Sequence, residues 1–245
     1  RGFNVFGEKV FTKLVRDIIF VPGLCGSSND WDHLSQSLVD PDIKTSFFYK
    51  LSGDRTIGDR SLRLRAFIDS SNNRPVFIAH SAGCLALAGA INNDNSRRIG
   101  GIILINPSPC RGISLPLSSL RRNLRWPYIW SLITGSYTVP VKEDQEFLAG
   151  GASVNFEPES PLMSVQIGGP LGFDVPQLRN FACKSFIVTS NNDMVNGEAN
   201  KEMIRYHGVK TVNIEKGGHY PHCHPDTQDI VAEIINNKLQ EWGVI

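Results

Sequence analysis

The stretch that most limits what this chain can fold into is Ala79-His80-Ser81-Ala82-Gly83. Before it, Pro75-Val76-Phe77-Ile78-Ala79 is short, apolar and β-rich, as a buried strand is. After it, Ala82-Gly83-Cys84-Leu85-Ala86-Leu87-Ala88 opens a run of small residues and good helix formers. Ser81 therefore falls on a sharp strand-to-helix turn. Such a turn needs small residues two places before and two places after the serine, because a larger Cβ substituent would strike the adjoining strand or helix. Ala79 and Gly83 meet that need. The turn exposes the Ser81 hydroxyl at the carboxyl edge of a sheet and sets the Ala82 N–H at a helix N-terminus, where it can face a developing oxyanion. The other reading of the pentapeptide is a serine that merely caps a helix.

With Ala79-His80-Ser81-Ala82-Gly83 in the place of a G-x-S-x-G elbow, the chain resembles the α/β-hydrolase superfamily. Alanine replaces the first glycine. A second feature carries the same resemblance: the apolar run Asp17-Ile18-Ile19-Phe20-Val21 ends in Pro22-Gly23-Leu24-Cys25-Gly26-Ser27-Ser28. In that family this loop usually reads H-G-x, with the backbone N–H of x completing an oxyanion hole. Here proline stands for histidine, and Leu24 becomes the second donor beside Ala82. Read without the elbow, the loop is a plain tight turn. Cys25 has no evident base beside it, so it is expected to line the pocket and not to act as a nucleophile.

The resemblance also implies the remaining partners. The strand Lys184-Ser185-Phe186-Ile187-Val188-Thr189 is followed by Asp193-Met194-Val195, the family's place for the triad acid, with Asp144, Asp174 and Asp226 as rivals. Gly217-Gly218-His219 follows the last strand, the family's place for the base. The order Ser81, Asp193, His219 is the superfamily's own. His222, Cys223 and His224 fit no zinc spacing, and both histidines are expected at the surface or the pocket rim. His80 is expected to pack beneath the elbow. Around the pocket we expect Cys25, His80, Trp126, Trp130 and Met194, and we expect no metal.

Alternating apolar runs and helical patterns place the parallel strands at 17–21, 44–50, 75–79, 101–105, 184–189 and 210–215, with a weak lead-in strand at 10–15. Helices are expected from Asn29 or Asp30, one of them as cap, to about Val39, over 59–71 with Leu62, Ala66 and Phe67 or Ile68 inward, from Ser81 to about Asn92, over 197–207, and over 226–242 with Ile230, Ile234, Ile235 and Leu239 on the packing side. Arg60, Arg63 and Arg65 are expected on a solvated face. Between Asn106 and about Asn180 the alternation stops. The segment resembles the family's cap, with helices over 116–134, interrupted at Pro127, and 141–149. The expected architecture is thus an α/β-hydrolase fold, a mostly parallel sheet with helices on both faces, built from 1–106 and 181–245 with a helical cap at 107–180.

The balance of 25 basic and 24 acidic side chains gives no field that would draw nucleic acid. No apolar run is long enough for a membrane span. Five scattered cysteines, an odd number without paired spacing, suggest a reducing compartment and hence a cytoplasmic protein. The chain opens at Arg1, which leaves room for a removed leader. Neither a phosphate-binding loop nor a dinucleotide fingerprint occurs, so no cofactor is expected. The expected activity is hydrolysis of a small-molecule carboxylic ester, thioester or lactone. Lyase or carbon–carbon bond chemistry, and a ligand receptor that retains the triad, stand as alternatives from the same fold.

Overall fold

The computed structural model describes residues 2–3, 9–10, 17–38, 43–48, 54–114 and 126–245. Outside the described residues lie most of the expected lead-in strand, the 116–125 part of the expected cap helix and the side chain of Trp126. A two-residue pair, β1 (Gly2–Phe3) with β2 (Lys9–Val10), is antiparallel. Six parallel strands form the main sheet: β3 (Asp17–Val21), β4 (Lys44–Phe47), β5 (Val76–His80), β6 (Gly101–Ile105), β7 (Ser185–Ser190) and β8 (Lys210–Ile214). Their order across the sheet is β4-β3-β5-β6-β7-β8.

The chain winds outward from β3 to β4, then returns past β3 to β5. The topological switch point is therefore the gap between the carboxyl ends of β3 and β5, where open parallel sheets bind ligands. The 22–28 loop and Ser81 leave the sheet at that gap.

Both faces of the central strands are covered, which is why β3, β5 and β6 read as continuous apolar runs. The side chains alternate between the two cores. On one face Ile19, Val21, Phe77, Ala79, Ile102 and Leu104 pack against α2 (Ile57–Ser70) and α3 (Ala82–Ala90). On the other, Ile18, Phe20, Val76, Ile78 and Ile103 pack with Trp31, Leu34 of α1 (Asp32–Ser37) and the carboxyl-terminal helix, Gln228–Glu241.

Local sequence explains several boundaries. Thr56 and Asp59 form a reciprocal capping box at the start of α2, each side chain accepting the other's backbone N–H, at 3.0 and 2.8 Å. Asp30 does not cap a helix; its carboxylate accepts the N–H of Ser27 and of Asn155, tying the 22–28 loop to the segment after β6. In the inserted segment the described helices are α4 (Trp126–Thr134), α5 (Lys142–Ala149) and α6 (Pro161–Val165). Helix α7 (Ala199–His207) follows β7, and α8 is Gln228–Glu241.

Two expected helix faces are turned differently. On α2, Leu62 is 64% exposed and Ala66 is exposed, while Arg60 is buried with Leu64 and Ile68. Arg60 lies inward because its guanidinium meets two buried carboxylates: Nη2 donates to Glu159 at 3.0 Å, and Nε stands 3.7 Å from Asp54. Arg63 pairs with Asp54 and lies over the Phe48 ring, and Arg65 donates to the carbonyls of Gly89 and Ala90. The arginines are thus structural ties and not a solvated face. On α8, Ile230 is exposed and Val231 and Ala232 take the inner positions beside Ile235 and Leu239.

At Gly83 an added Cβ would lie 2.5 Å from the Pro22 carbonyl oxygen and 2.6 Å from that of Val21. Both are backbone atoms of the neighbouring strand end and cannot swing aside. Gly83→Ala should lower the unfolding free energy by about 1–3 kcal/mol in urea titration. Arg60→Met should cost about 3–5 kcal/mol by the same measure, because it takes the cation from the buried Glu159 carboxylate and leaves Arg63 alone to pair with Asp54. Adding Glu159→Gln to that variant should restore part of the loss.

Candidate active site

Ser81 takes φ 50° and ψ −122°, a backbone conformation that side-chain-bearing residues rarely adopt. Its surroundings enforce it. The Ser81 N–H donates to the Ile105 carbonyl at 3.0 Å, and its own carbonyl accepts from Cys84 N at 3.0 Å and Ser108 N at 3.2 Å. The turn is thereby fixed to β6 on one side and to α3 on the other.

His219 reaches it from the loop after β8, with Nε2 3.0 Å from Ser81 Oγ. Its Nδ1 lies 3.1 Å from both carboxylate oxygens of Asp193, in the loop after β7. A carboxylate can only accept, so Nδ1 carries the hydrogen and, in the neutral ring, Nε2 accepts from the Ser81 hydroxyl. Burial works against charge on Asp193, but His219 and the N–H groups of Val195 and Asn196 outweigh it and hold its carboxyl below the ordinary range. Asn200 Nδ2 adds a bond to the other oxygen at 3.1 Å. The acid thus stays ionised and fixed. Asp144 is buried in α5, Asp174 pairs with Arg111, and Asp226 is exposed.

Several residues of this cluster escaped the sequence reading. Asn106 Nδ2 lies within hydrogen-bonding distance of Ser190 Oγ and the carbonyls of Gly218 and His219, while its Oδ1 accepts from Ser190 N. Asn196 donates to the Asn106 carbonyl. Ser108 Oγ is 3.0 Å from Ser81 Oγ. One signal was present: Asn106-Pro107-Ser108 leaves a buried strand at the same sheet edge as Ser81.

A cavity of about 90 Å³ opens beside Ser81 and His219, lined from the core by Leu24, Cys25, Ser108 and Tyr220. Its other wall comes from residues between Thr138 and Ile167 of the inserted segment, the buried Glu159 among them. Leu24 and Cys25 follow Gly23, whose added Cβ would sit 2.9 Å from Ser81 Cβ. Ala82 begins α3, so its N–H is among those without an intrahelical acceptor. Trp130 and Met194 lie outside this lining, at 54% and 60% exposure, because α4 and the Asp193 loop turn them outward.

His80 also lies outside the lining, buried beneath the site with Nε2 donating to the His219 carbonyl at 2.8 Å. His222, expected at the surface or rim, is instead 1% exposed, stacked on Trp31 and tilted against His80, with centroid distances of 4.4 and 4.8 Å. The aromatic face of the ring, not its nitrogens, fills this place: among the described residues neither Nδ1 nor Nε2 has a hydrogen-bond partner. His224 remains half-buried. Among the described residues no group of three His, Cys, Asp or Glu side chains is arranged to hold a metal ion.

Burial first, and then neighbouring His219, pushes His222 down to about 3, and burial takes His207 down to about 4. The unfolded chain protonates these rings near pH 6.5, so their neutral burial is fully tolerated above that pH and stability falls as the pH drops toward the lowered values. His222→Phe should flatten the stability slope between about pH 4 and 6 by up to ~1.4 kcal/mol per pH unit, measured by urea titration across that range. An unchanged slope would show that His222 is not held neutral.

The model of the alpha/beta hydrolase family matches residues 18–233. No curated protein matches the sequence. Among solved structures, a lipase-esterase related protein from Clostridium acetobutylicum superposes with a TM-score of 0.63 at 16% identity, covering 91% of this chain and 93% of that one. Polyneuridine aldehyde esterase gives 0.62 at 15% identity, over 91% and 98%. A structure from work on carboxylesterases of the thaumarchaeon Nitrososphaera gargenis gives 0.69 at 15%, over 94% and 91%. At such identities these likenesses speak for the fold, and the family model speaks for descent: the chain belongs to the alpha/beta hydrolase family.

Proposed function

We propose that the protein is a serine hydrolase that cleaves a small carboxylic ester, thioester or lactone by acyl transfer through Ser81. The observation that carries this reading is the pair of contacts on one ring, 3.0 Å from His219 Nε2 to Ser81 Oγ and 3.1 Å from Nδ1 to Asp193. Ser81 Oγ attacks the carbonyl carbon while His219 takes its proton, and Asp193 holds and stabilises the imidazolium. The N–H groups of Leu24 and Ala82 receive the oxyanion. His219 then passes the proton to the leaving group, and water, activated by the same ring, releases the acid.

The close approach of Gly23 to Ser81 supports the oxyanion assignment, because only a glycine lets the 22–28 loop lie against the elbow. Residues 107–180 act as the cap. The cavity of about 90 Å³ favours a short acyl group, since sites for drug-sized ligands run to roughly 300–1,000 Å³. No cofactor enters these steps.

The test is covalent labelling with a fluorophosphonate, read by intact mass and peptide mapping, followed by turnover of short-chain esters and thioesters. Native protein should label at Ser81, and Ser81→Ala and His219→Ala should not. Turnover in Ser81→Ala should fall by about four orders of magnitude or more. A folded native protein that neither labels nor turns over these substrates would remove the acyl-transfer reading.

A further inference from the structure

We propose that Ser108 is a further catalytic residue, whose hydroxyl donates a hydrogen bond to the Ser81 oxygen during both acylation and deacylation; the proposal rests on the acyl-transfer reading above. The two hydroxyl oxygens are 3.0 Å apart, and distance alone leaves open which one donates. The surrounding site decides it. His219 Nδ1 faces the Asp193 carboxylate, so the neutral ring presents Nε2 as an acceptor to Ser81. Ser81 has one hydroxyl proton, and that proton is committed to Nε2. The proton between the serines must then come from Ser108.

This sets the orientation of the nucleophile. Around Ser81 Oγ, one direction is taken by Cβ, one by the hydrogen given to His219, and one by the lone pair that accepts from Ser108. The one remaining lone pair is free for attack. Ser108 also lines the cavity beside Ser81, so the bond is made at the edge of the space in which a substrate would sit.

The donor is held in place by its own backbone. Ser108 is 1% exposed, its N–H is bonded to the Ser81 carbonyl at 3.2 Å, and it stands between Pro107 and Pro109, whose rings restrict the chain on either side. A preorganised donor of this kind is most effective where negative charge builds in a site shielded from water.

In acylation the Oγ–carbon bond forms, the Oγ proton moves to His219 Nε2, and the carbonyl π pair moves onto the carbonyl oxygen; that pair then re-forms the carbonyl as the leaving group departs with the electron pair of its bond to carbon and takes the proton from Nε2. The Ser108 O–H offsets charge on Oγ as its proton departs. In deacylation water adds to the acyl carbon and gives a proton to His219. The Oγ–carbon bond then breaks with its electron pair returning to Oγ, which recovers the proton from Nε2. Ser108 donates to the departing oxygen in this step as well.

The experiment compares native protein, Ser108→Ala and Ser108→Cys by stopped-flow acylation and deacylation with p-nitrophenyl acetate, and by the rate of fluorophosphonate labelling. Alanine deletes the donor, while cysteine keeps the shape and supplies only a weak one. The acylation and deacylation rate constants in Ser108→Ala should each fall about 10- to 100-fold, with KM changed less than about twofold and Ser108→Cys intermediate. Acylation of Ser108→Ala at the native rate, or a loss confined to KM, would overturn the proposal and leave the role of Ser81 intact. If the alanine variant fails to fold by near-ultraviolet circular dichroism, Ser108→Cys decides, and native rates there overturn it equally. Native protein that is not acylated at all overturns the acyl-transfer reading and this inference with it.

Discussion

One buried amide joins the loop that carries Asp193 to the loop that carries His219. Asn106, fully buried at the end of β6, faces the carbonyls of Gly218 and His219 and the backbone and hydroxyl of Ser190, and its own carbonyl accepts from Asn196. These contacts fix the loop that bears His219 against the loop that bears Asp193. On the other side, the parallel register pairs Ile105 of β6 with both His80 of β5 and Val188 of β7. The ends of β5 and β6 are thus level, and β7 runs two residues further, before the side chains of Ser81, Asp193 and His219 are placed. Buried polar groups left unpaired are costly, so a network with this many shared partners admits few other arrangements.

Beneath that edge, rings continue the support inward. Phe20, Trp31, His222 and His80 follow one another at centroid distances of 4.9, 4.4 and 4.8 Å, and His80 lies 4.7 Å from His219. His219 therefore rests on a column that begins in the apolar core, and its carbonyl is held by both His80 and Asn106. Rigid packing of this kind keeps Nδ1 and Nε2 aimed at their separate partners.

What could be read in the sequence was what short stretches determine. Strand, elbow and helix around Ser81 follow from local propensity and the demand for small neighbours, and the alternation of elements dictates a parallel sheet with covered faces. The placement of α2 was not legible in the same way. Leu62 and Ala66 satisfy helical spacing, yet the helix turns Arg60 inward because the partner carboxylate, Glu159, lies 99 residues further along the chain. His222 illustrates the same limit: a histidine between two prolines reads as loop, and its burial is set by Trp31, which stacks on it from the first core helix region. Asn106 and Ser108 were hidden for another reason. Their importance lies in which backbone groups stand opposite them, and that becomes known only when three distant loops converge.

The backbone of Ser81 has a consequence for how such a chain changes over time. A non-glycine residue at φ 50° and ψ −122° stores unfavourable conformational energy that glycine would not. At this position the side chain to which the proposed acyl transfer is assigned is also one the fold would be steadier without. Mutational drift screened for abundance or heat resistance alone would favour its loss, and only continued demand for turnover would oppose it. On the acyl-transfer reading, the strained dihedral angle is a record of selection on activity, written in the backbone and independent of any bound molecule.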